Sequence, residues 1–153
     1  MTRTTAREIA ILLGFSVAAS GEEPEACLER FFEPEHYETL AAENPLFSQR
    51  PDQRQMEYIR TVVRLTGSHR QEMDQEIESY SKGWKASRIS RTAAAILRCA
   101  MCEIRWLEDV PTAAAINEAV ELAKKYENDD VVAFINGVLG SFVRAGDGDG
   151  SQT

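Results

Sequence analysis

The spacing of apolar residues between positions 91 and 142 constrains the fold of this chain more than any other feature of its sequence. From Thr112 to Tyr126, apolar residues recur every three or four positions and charged residues lie opposite them, which is the pattern of an amphipathic α-helix. The segment 91–107 is apolar on nearly every side, as in a helix at the centre of a bundle. The sequence therefore predicts helices packed on helices.

Helical spacing recurs along the rest of the chain, and strand signals are nearly absent. The sequence predicts an all-α fold of about seven helices in two small packed bundles, with the halves meeting at the segment 82–106. Several residues are typical of helix boundaries. These are the capping-box sequence TARE at Thr5–Glu8, Gly21 as a stop, and Asp52 and either Asp129 or Asp130 as starts.

A chain of 153 residues with 43% hydrophobic content is long enough to bury one sizeable core. We predict a single helical domain over residues 1–145 and a disordered tail over 146–153, where the sequence GDGDGSQT lacks hydrophobic residues. Residues 34–48 combine prolines with many acids and are predicted to be a connecting segment with a turn of helix near Tyr37.

The cysteine pattern does not predict a disulfide framework or a metal site. Cys99 and Cys102 form a C-x-x-C, but both fall in the middle of a predicted helix rather than at the start of one after a strand. Cys27, His36 and His69 lack the spacing of further zinc ligands. We therefore expect buried packing cysteines, no cofactor and no metal.

The sequence does not predict an enzyme or a membrane protein. It holds two histidines, no glycine-rich phosphate loop and no serine–histidine arrangement, so convergent catalytic groups are not expected. No apolar run approaches the roughly 18 residues that span a bilayer, and the start of the chain fits a helix better than a signal peptide. The chain is expected to be cytoplasmic.

The net charge of −8 is unevenly distributed along the chain. Residues 21–47 hold eight carboxylates against Arg30, whereas residues 82–106 hold six basic side chains against Glu103. Such asymmetry is typical of a protein that binds charged partners, although a charge run is more often a solvated helix face. Charge alone does not decide between these readings.

Two pairs on the first helix are candidates for binding. Arg3 and Arg7 lie one turn apart near the helix start, where a cation opposes the helix dipole by roughly 0.3–1 kcal/mol unless an anion such as phosphate offsets it. Ile11 and Phe15 lie opposite the main apolar stripe, so they either pack on another helix of this chain or contact a partner.

The last helix carries a face of small and polar residues beside its apolar stripe. Two glycines in a helix interior lower stability by roughly 1 kcal/mol each relative to alanine, which favours close approach by a helix or a nucleic-acid backbone. Phe134 and Asn136 border this face. An aromatic ring with a nearby amide is a common way to bind unpaired RNA, and core packing is the alternative for Phe134.

Three blocks of the second half resemble the NusB family of bacterial transcription antitermination factors. They are AAILRCAMCEI, DVPTAAAINEAVELAKKY and FINGVL, in order and at near-family spacing over residues 95–139. AREIA at residues 6–10 resembles the start of the family's first helix, and Trp84, Arg88 and Ile89 resemble its Trp-x-x-x-Arg-Ile junction. Residues 21–80 match only in helical pattern.

The resemblance implies an all-helical fold of two small bundles and a role without catalysis. It implies binding of the boxA sequence of ribosomal RNA leaders as a heterodimer with NusE, a small-subunit ribosomal protein. That complex joins other Nus factors on RNA polymerase and suppresses Rho-dependent termination. By position, the resemblance implies RNA contacts for Arg3, Arg7, Arg98, Asp130, Phe134 and Asn136, and a NusE contact for Phe15 beside Ile11; Glu103, Asn117 and Glu118 match as mainly structural residues.

Departures from the family pattern limit the expected RNA affinity. The family's start often has three or more consecutive basic residues, whereas RTTAR offers two arginines separated by threonines. Fewer cations release fewer counterions, so we expect weaker and less salt-sensitive RNA binding, with the heterodimer as the competent species. The alternative is a protein-interaction scaffold of the same fold with little RNA affinity of its own, or a homodimer formed through Ile11 and Phe15.

Overall fold

All regular secondary structure is helical in the residues that the computed structural model describes, which are 1–81 and 89–150, with only the backbone described for 147–150. These residues form eight α-helices and one short 3₁₀ helix. The α-helices are α1 (Arg3–Ser20), α2 (Pro24–Phe31), α3 (Pro34–Glu43), α4 (Gln53–Ser68), α5 (Arg70–Tyr80), α6 (Arg91–Trp106), α7 (Thr112–Tyr126) and α8 (Asp129–Gly150), and the 3₁₀ helix is Pro45–Phe47. The all-α prediction is confirmed, with α3 added to the predicted number.

Met1–Ser68 forms one compact unit, called unit 1 here. The helix α1 packs along α4, and α2 packs on both of them. Gly67 lies in the last turn of α4, which ends at Ser68. A Cβ atom there would lie 2.5 Å from Cγ of Pro24, so glycine allows α2 to approach α4. The core of unit 1 includes Ile9, Leu13, Ile59, Val62 and Val63.

His69–Thr153 forms the second compact unit, called unit 2. The helix α6 is its centre and contacts α5, α7 and α8. This confirms the prediction of a central helix from a segment that is apolar on nearly every side. The fully buried side chains of unit 2 include Met73, Ile96, Leu97, Met101, Ile135 and Leu139.

Two of the predicted helix boundaries are confirmed and two are wrong. Gly21 ends α1 with a φ of 72°, which glycine adopts without strain, and the Asp52 carboxylate accepts a hydrogen bond from N of Gln55 at 2.9 Å. The predicted capping box at Thr5 is wrong, because the Thr2 hydroxyl caps α1 by accepting from N of Thr5 at 3.1 Å. Asn128, rather than either aspartate after it, caps α8 through its side-chain oxygen.

The connecting segment is more helical than its composition predicted. Pro34 starts α3, and the carboxylate of Glu33 accepts hydrogen bonds from N of Glu35 and N of His36. A carboxylate that caps a proline-started helix offsets the weak apolar periodicity of this segment. At the other end, α8 continues to Gly150, into the segment predicted to be a disordered tail; residues 151–153 lie outside the described part.

Candidate nucleic-acid interface

Arg3 lies at the surface of unit 1, supported by two residues of α4. Its Nε donates to Oε1 of Gln55 at 2.7 Å, and its guanidinium carbon lies 4.2 Å from the centre of the Tyr58 ring. Arginine has five N–H donors, and Gln55 accepts one of them. The cation is therefore oriented while most of its donors remain for a ligand such as phosphate.

Arg7 differs from Arg3 in its exposure. Its residue surface is only 5% exposed, and its guanidinium carbon lies 5.8 Å from the Tyr58 ring centre. Tyr58 itself is 4% exposed, so both arginines contact one buried aromatic ring. The predicted direct RNA contact of Arg7 has less geometric support than that of Arg3, because a buried guanidinium has little surface to offer a phosphate.

Ile11 and Phe15 differ in the same way. Ile11 is 5% exposed and packs within the chain, which is one of the two alternatives that its position left open. Phe15 is half-buried, so part of its ring lies at the surface. Of the two residues predicted to contact a partner, Phe15 has the surface to do so.

Arg98 holds two helices of unit 2 together. Its Nε and Nη2 donate to the two carboxylate oxygens of Asp74 at 2.7 and 3.1 Å, which joins α6 to α5, and its side chain is 13% exposed. A bidentate arginine–carboxylate pair fixes geometry as well as charge. This contact gives Arg98 a structural function beside its predicted RNA contact.

The basic segment is partly neutralised within the described residues. Arg105 donates from both Nη atoms to the carboxylate of Glu76 at 2.6 Å, which raises the pKa of Arg105, and its guanidinium carbon lies 4.8 Å from the Phe142 ring centre. Two arginines of this segment are thus engaged by α5 carboxylates. The predictions for Lys82, Trp84, Lys85 and Arg88 lie outside the described residues.

One face of α8 is exposed, and it includes Asn136 and Gly137. Asp130 is exposed in the first turn, where a carboxylate is favoured by the helix dipole. Phe134 is 7% exposed, which agrees with the core-packing alternative for its ring. Among the three α8 residues predicted to bind RNA, Asp130 and Asn136 are accessible and Phe134 is not.

No packing contact in the described part of the chain explains why residue 137 is a glycine. A Cβ atom built on it would meet nothing within 4 Å, and its φ lies outside the left-handed region. A glycine in a helix interior lowers stability by roughly 1 kcal/mol relative to alanine. The open space beside Asn136 is therefore available to a ligand rather than filled by a neighbouring helix.

The buried polar groups of α6 are structural. Cys99 Sγ lies 3.7 Å from Oε1 of Glu103, which is 0% exposed, and both thiols of the C-x-x-C are buried. Burial, followed by the nearby Glu103 charge, raises the pKa of Cys102 to about 12. The prediction of buried packing cysteines is confirmed. Asn117, predicted to fix a helix junction, is instead exposed on the solvent face of α7.

Comparison with known proteins identifies the family. The sequence matches the NusB family over residues 4–144. The chain belongs to the NusB family. It is 38% identical over 141 residues to the transcription antitermination protein NusB of Natranaerobius thermophilus, covering 91% of this chain and 92% of that one. It is 34% identical over 143 residues to the protein of the same name from Clostridium botulinum strain Kyoto, covering 94% and 100%.

Solved NusB structures have the same fold. The structure of T. maritima NusB matches with a TM-score of 0.74 at 23% identity, covering 94% of this chain and 92% of that one. NusB from Aquifex aeolicus matches with a TM-score of 0.67 at 25% identity, covering 95% and 90%. A chain from a crystal structure described as a plectonemic RNA supercoil matches with a TM-score of 0.72 at 25% identity, covering 95% and 96%.

The NusB resemblance in the sequence did not reveal the residues that support the candidate site. Gln55 and Tyr58 of α4 hold Arg3, and Asp74 and Glu76 of α5 bind the arginines of α6. These residues lie outside the blocks that carry the family resemblance in the sequence. The available signal was the acidic composition of α5, since carboxylates on one helix attract arginines on its neighbour.

Among the described residues, no group of three or more histidine, cysteine, aspartate or glutamate side chains is arranged to hold a metal ion. None of the helices in the same part of the chain is both long and apolar enough to cross a membrane.

Proposed function

We infer that this chain is a transcription antitermination factor that binds boxA RNA as a heterodimer with NusE and helps RNA polymerase, together with other Nus factors, resist Rho-dependent termination. The observation that carries the inference is family membership across residues 4–144, with relatives named for transcription antitermination. The geometry of the two units adds a candidate contact in each.

In unit 1 the candidate contact is Arg3. Its stacking on Tyr58 and its hydrogen bond to Gln55 hold the guanidinium in place before RNA arrives. A cation that is already oriented loses less conformational entropy when it binds phosphate. This supports a phosphate contact at the start of α1.

In unit 2 the candidate contact is the exposed α8 face at Asn136 and Gly137. An asparagine amide both donates and accepts hydrogen bonds, which suits the edge of an unpaired base. The adjacent glycine allows a nucleic-acid backbone to approach the helix closely.

A partner is part of the proposal because the chain is acidic overall and several of its arginines are buried or paired. Its net charge is −8, Arg7 is buried, and Arg98 and Arg105 are paired with carboxylates. Binding to polyanionic RNA by this chain alone is therefore weak, and NusE, contacted through Phe15, supplies further affinity. Asp130 and Phe134 stay in the proposal as positions matched to the family's RNA site.

The test is a gel shift of boxA RNA and a scrambled RNA of equal length, with this chain alone, with NusE alone and with both. We expect the pair to retain boxA at a concentration that leaves the scrambled RNA unbound and at which neither protein alone binds strongly. Equal retention of both RNAs by the pair would contradict the proposal.

A second candidate function is a protein-interaction scaffold with little RNA affinity. The pairing of Arg98 with Asp74 and of Arg105 with Glu76 favours it, because paired cations attract RNA less. Under this reading NusE co-purifies with the chain, but adding the chain does not change how tightly NusE binds boxA. The same gel shift separates the two functions.

A further inference from the structure

A cavity of about 370 Å³ opens in unit 1 between the start of α1 and the 3₁₀ helix. Its volume lies within the range of roughly 300–1,000 Å³ that is typical of small-molecule pockets. Seven of the described residues line it, and none of them has a charged side chain. They are Met1, Thr2 and Thr5 on one side, and Pro45, Leu46, Ser48 and Gln49 on the other.

The α1 side of the cavity is held by the helix cap. The Thr2 hydroxyl accepts from N of Thr5 and donates to the Thr5 hydroxyl, each at 3.1 Å. The positions of both hydroxyls are therefore fixed by the start of the helix.

The opposite side is anchored in the core of unit 1. Phe47 is 7% exposed and packs edge-on against Phe31 and Tyr37, with ring centres 5.5 and 6.0 Å apart. The Tyr37 hydroxyl donates to the carbonyl of Gln49 at 2.8 Å, and the side chain of Asn44 accepts from N of Leu46 at 3.0 Å. The cavity is thus formed before any ligand binds, which lowers the entropy lost on binding.

The lining suits an uncharged, planar group with hydrogen-bonding edges. Pro45 and Leu46 supply an apolar surface, while the Ser48 hydroxyl and the Gln49 amide both donate and accept hydrogen bonds. A nucleobase has an apolar face and a mixed edge, so it matches both parts of the lining.

We propose that this cavity takes one unpaired base of bound RNA. Arg3 lies in the chain between the lining residues Thr2 and Thr5, so the phosphate contact of the proposed function and the cavity share the same helix start. This inference rests on the proposed function, because it gives the RNA contact at Arg3 a base-specific component. It assigns recognition to the start of α1 in addition to the α8 face.

The experiment measures binding of the NusE heterodimer to a series of boxA RNAs in which each nucleotide in turn is abasic. Removing a stacked base reduces affinity by about tenfold. In Ser48→Leu, the leucine fills the cavity, so one position at which base removal weakens wild-type binding should become insensitive. Ser68→Leu, the same change at an exposed serine outside the cavity, should keep the wild-type profile.

Gln49→Ala provides a second variant that does not add bulk, and Gln53→Ala is its matched control on the exposed start of α4. Gln49→Ala should reduce the effect of the same abasic position, and circular dichroism checks that both variants are folded. Identical abasic profiles for wild type, Ser48→Leu and Gln49→Ala would overturn the pocket while leaving RNA binding intact. If wild type itself does not prefer boxA to scrambled RNA, the proposed function fails, and this inference fails with it.

Discussion

At the scale of single residues, exposure distinguishes side chains that the sequence makes look alike. Arg3 and Arg7 are one turn apart and contact the same Tyr58 ring, yet Arg7 is 5% exposed and Arg3 is half-buried. A substitution at Arg7 changes a buried charged group and therefore affects folding and binding together. Arg3 is the arginine whose substitution reports on RNA binding.

Arg3→Ala should weaken binding of the NusE heterodimer to boxA RNA by about tenfold, because a charge-assisted hydrogen bond to phosphate is lost. The salt slope should become shallower by about 0.7, the value for one contact to single-stranded RNA. The free energy of unfolding should fall by no more than about 1 kcal/mol from the lost contact with Tyr58. Fluorescence anisotropy at several salt concentrations measures the affinity and the salt slope, and urea unfolding measures the change in stability. Arg60→Ala, at an exposed position of α4, is the control and should leave the affinity unchanged.

The raised pKa of Cys102 predicts that the stability of the protein depends on pH. Its pKa is raised from 9.0 to about 12, first by burial and then by the nearby Glu103 charge. Well below pH 9.0 the thiol is protonated in both states, so its contribution is constant. As the pH rises from there towards 12, the unfolded state loses the proton first, and the free energy of unfolding falls by up to about 1.4 kcal/mol per pH unit.

Urea unfolding of wild type and Cys102→Ala between pH 7 and 11 measures this dependence. The variant is destabilised at pH 7 because a buried side chain is shortened, and its stability should decline less above pH 9 than that of wild type. Parallel curves for the two proteins across this range would show that Cys102 does not contribute.

At the scale of helices, the features that could be predicted are those determined by the residues of one helix, without its packing partners. The apolar pattern of α6 and the stop at Gly21 depend on local spacing and on one backbone conformation, and both were predicted. The cap of α1 was not, since Thr2 and Thr5 are both good capping residues and packing selects between them. The hydrogen-bond partner of Arg98 could not be predicted either, because α5 and α6 come into contact only in the folded unit.

The Arg98–Asp74 pair can be tested by a double-mutant cycle. The coupling energy in unfolding should be about 0.5–1 kcal/mol, since Asp74 is 45% exposed and solvent screens the pair. Urea unfolding of Arg98→Ala, Asp74→Ala and the double variant gives this value.

The Asp74→Ala variant also tests RNA binding by Arg98. If Arg98 contacts RNA, Asp74→Ala releases it and raises the affinity for boxA. If Arg98 is only structural, Asp74→Ala leaves that affinity unchanged.

The exposed face of α8 makes a prediction in which stability and binding change in opposite directions. Gly137→Ala should raise the free energy of unfolding by about 1 kcal/mol, because alanine favours the helix and its Cβ meets nothing within 4 Å. The same methyl group should weaken boxA binding if the RNA backbone approaches this face. Asn136→Ala, also exposed, should weaken binding with a stability change within about 0.5 kcal/mol. A Gly137→Ala variant with greater stability and unchanged affinity would remove α8 from the interface.

At the scale of the whole molecule, the sequence predicted the fold class and family but not the distribution of available charge. Counting residues gave a basic segment at 82–106, whereas in the described part of that segment Arg98 and Arg105 are bound to carboxylates of α5. Those carboxylates lie outside the blocks that carry the family resemblance in the sequence. Charge counts along a sequence therefore overstate the cationic surface when a neighbouring helix is acidic.

The charge distribution predicts a shallow salt dependence for the chain without NusE. With Arg3 and two or fewer further phosphate contacts, the slope of log K against log salt should be about −2 or shallower, at roughly 0.7 per contact with single-stranded RNA. Adding NusE should raise the affinity and steepen the slope, because the partner brings its own cations. Anisotropy titrations from low to physiological salt give both slopes. A slope steeper than about −4 for this chain alone would correspond to about six phosphate contacts and would contradict the expectation that NusE supplies most of the affinity. The next residues to substitute would then be Lys82, Lys85 and Arg88. This chain, rather than NusE, would supply most of the RNA affinity.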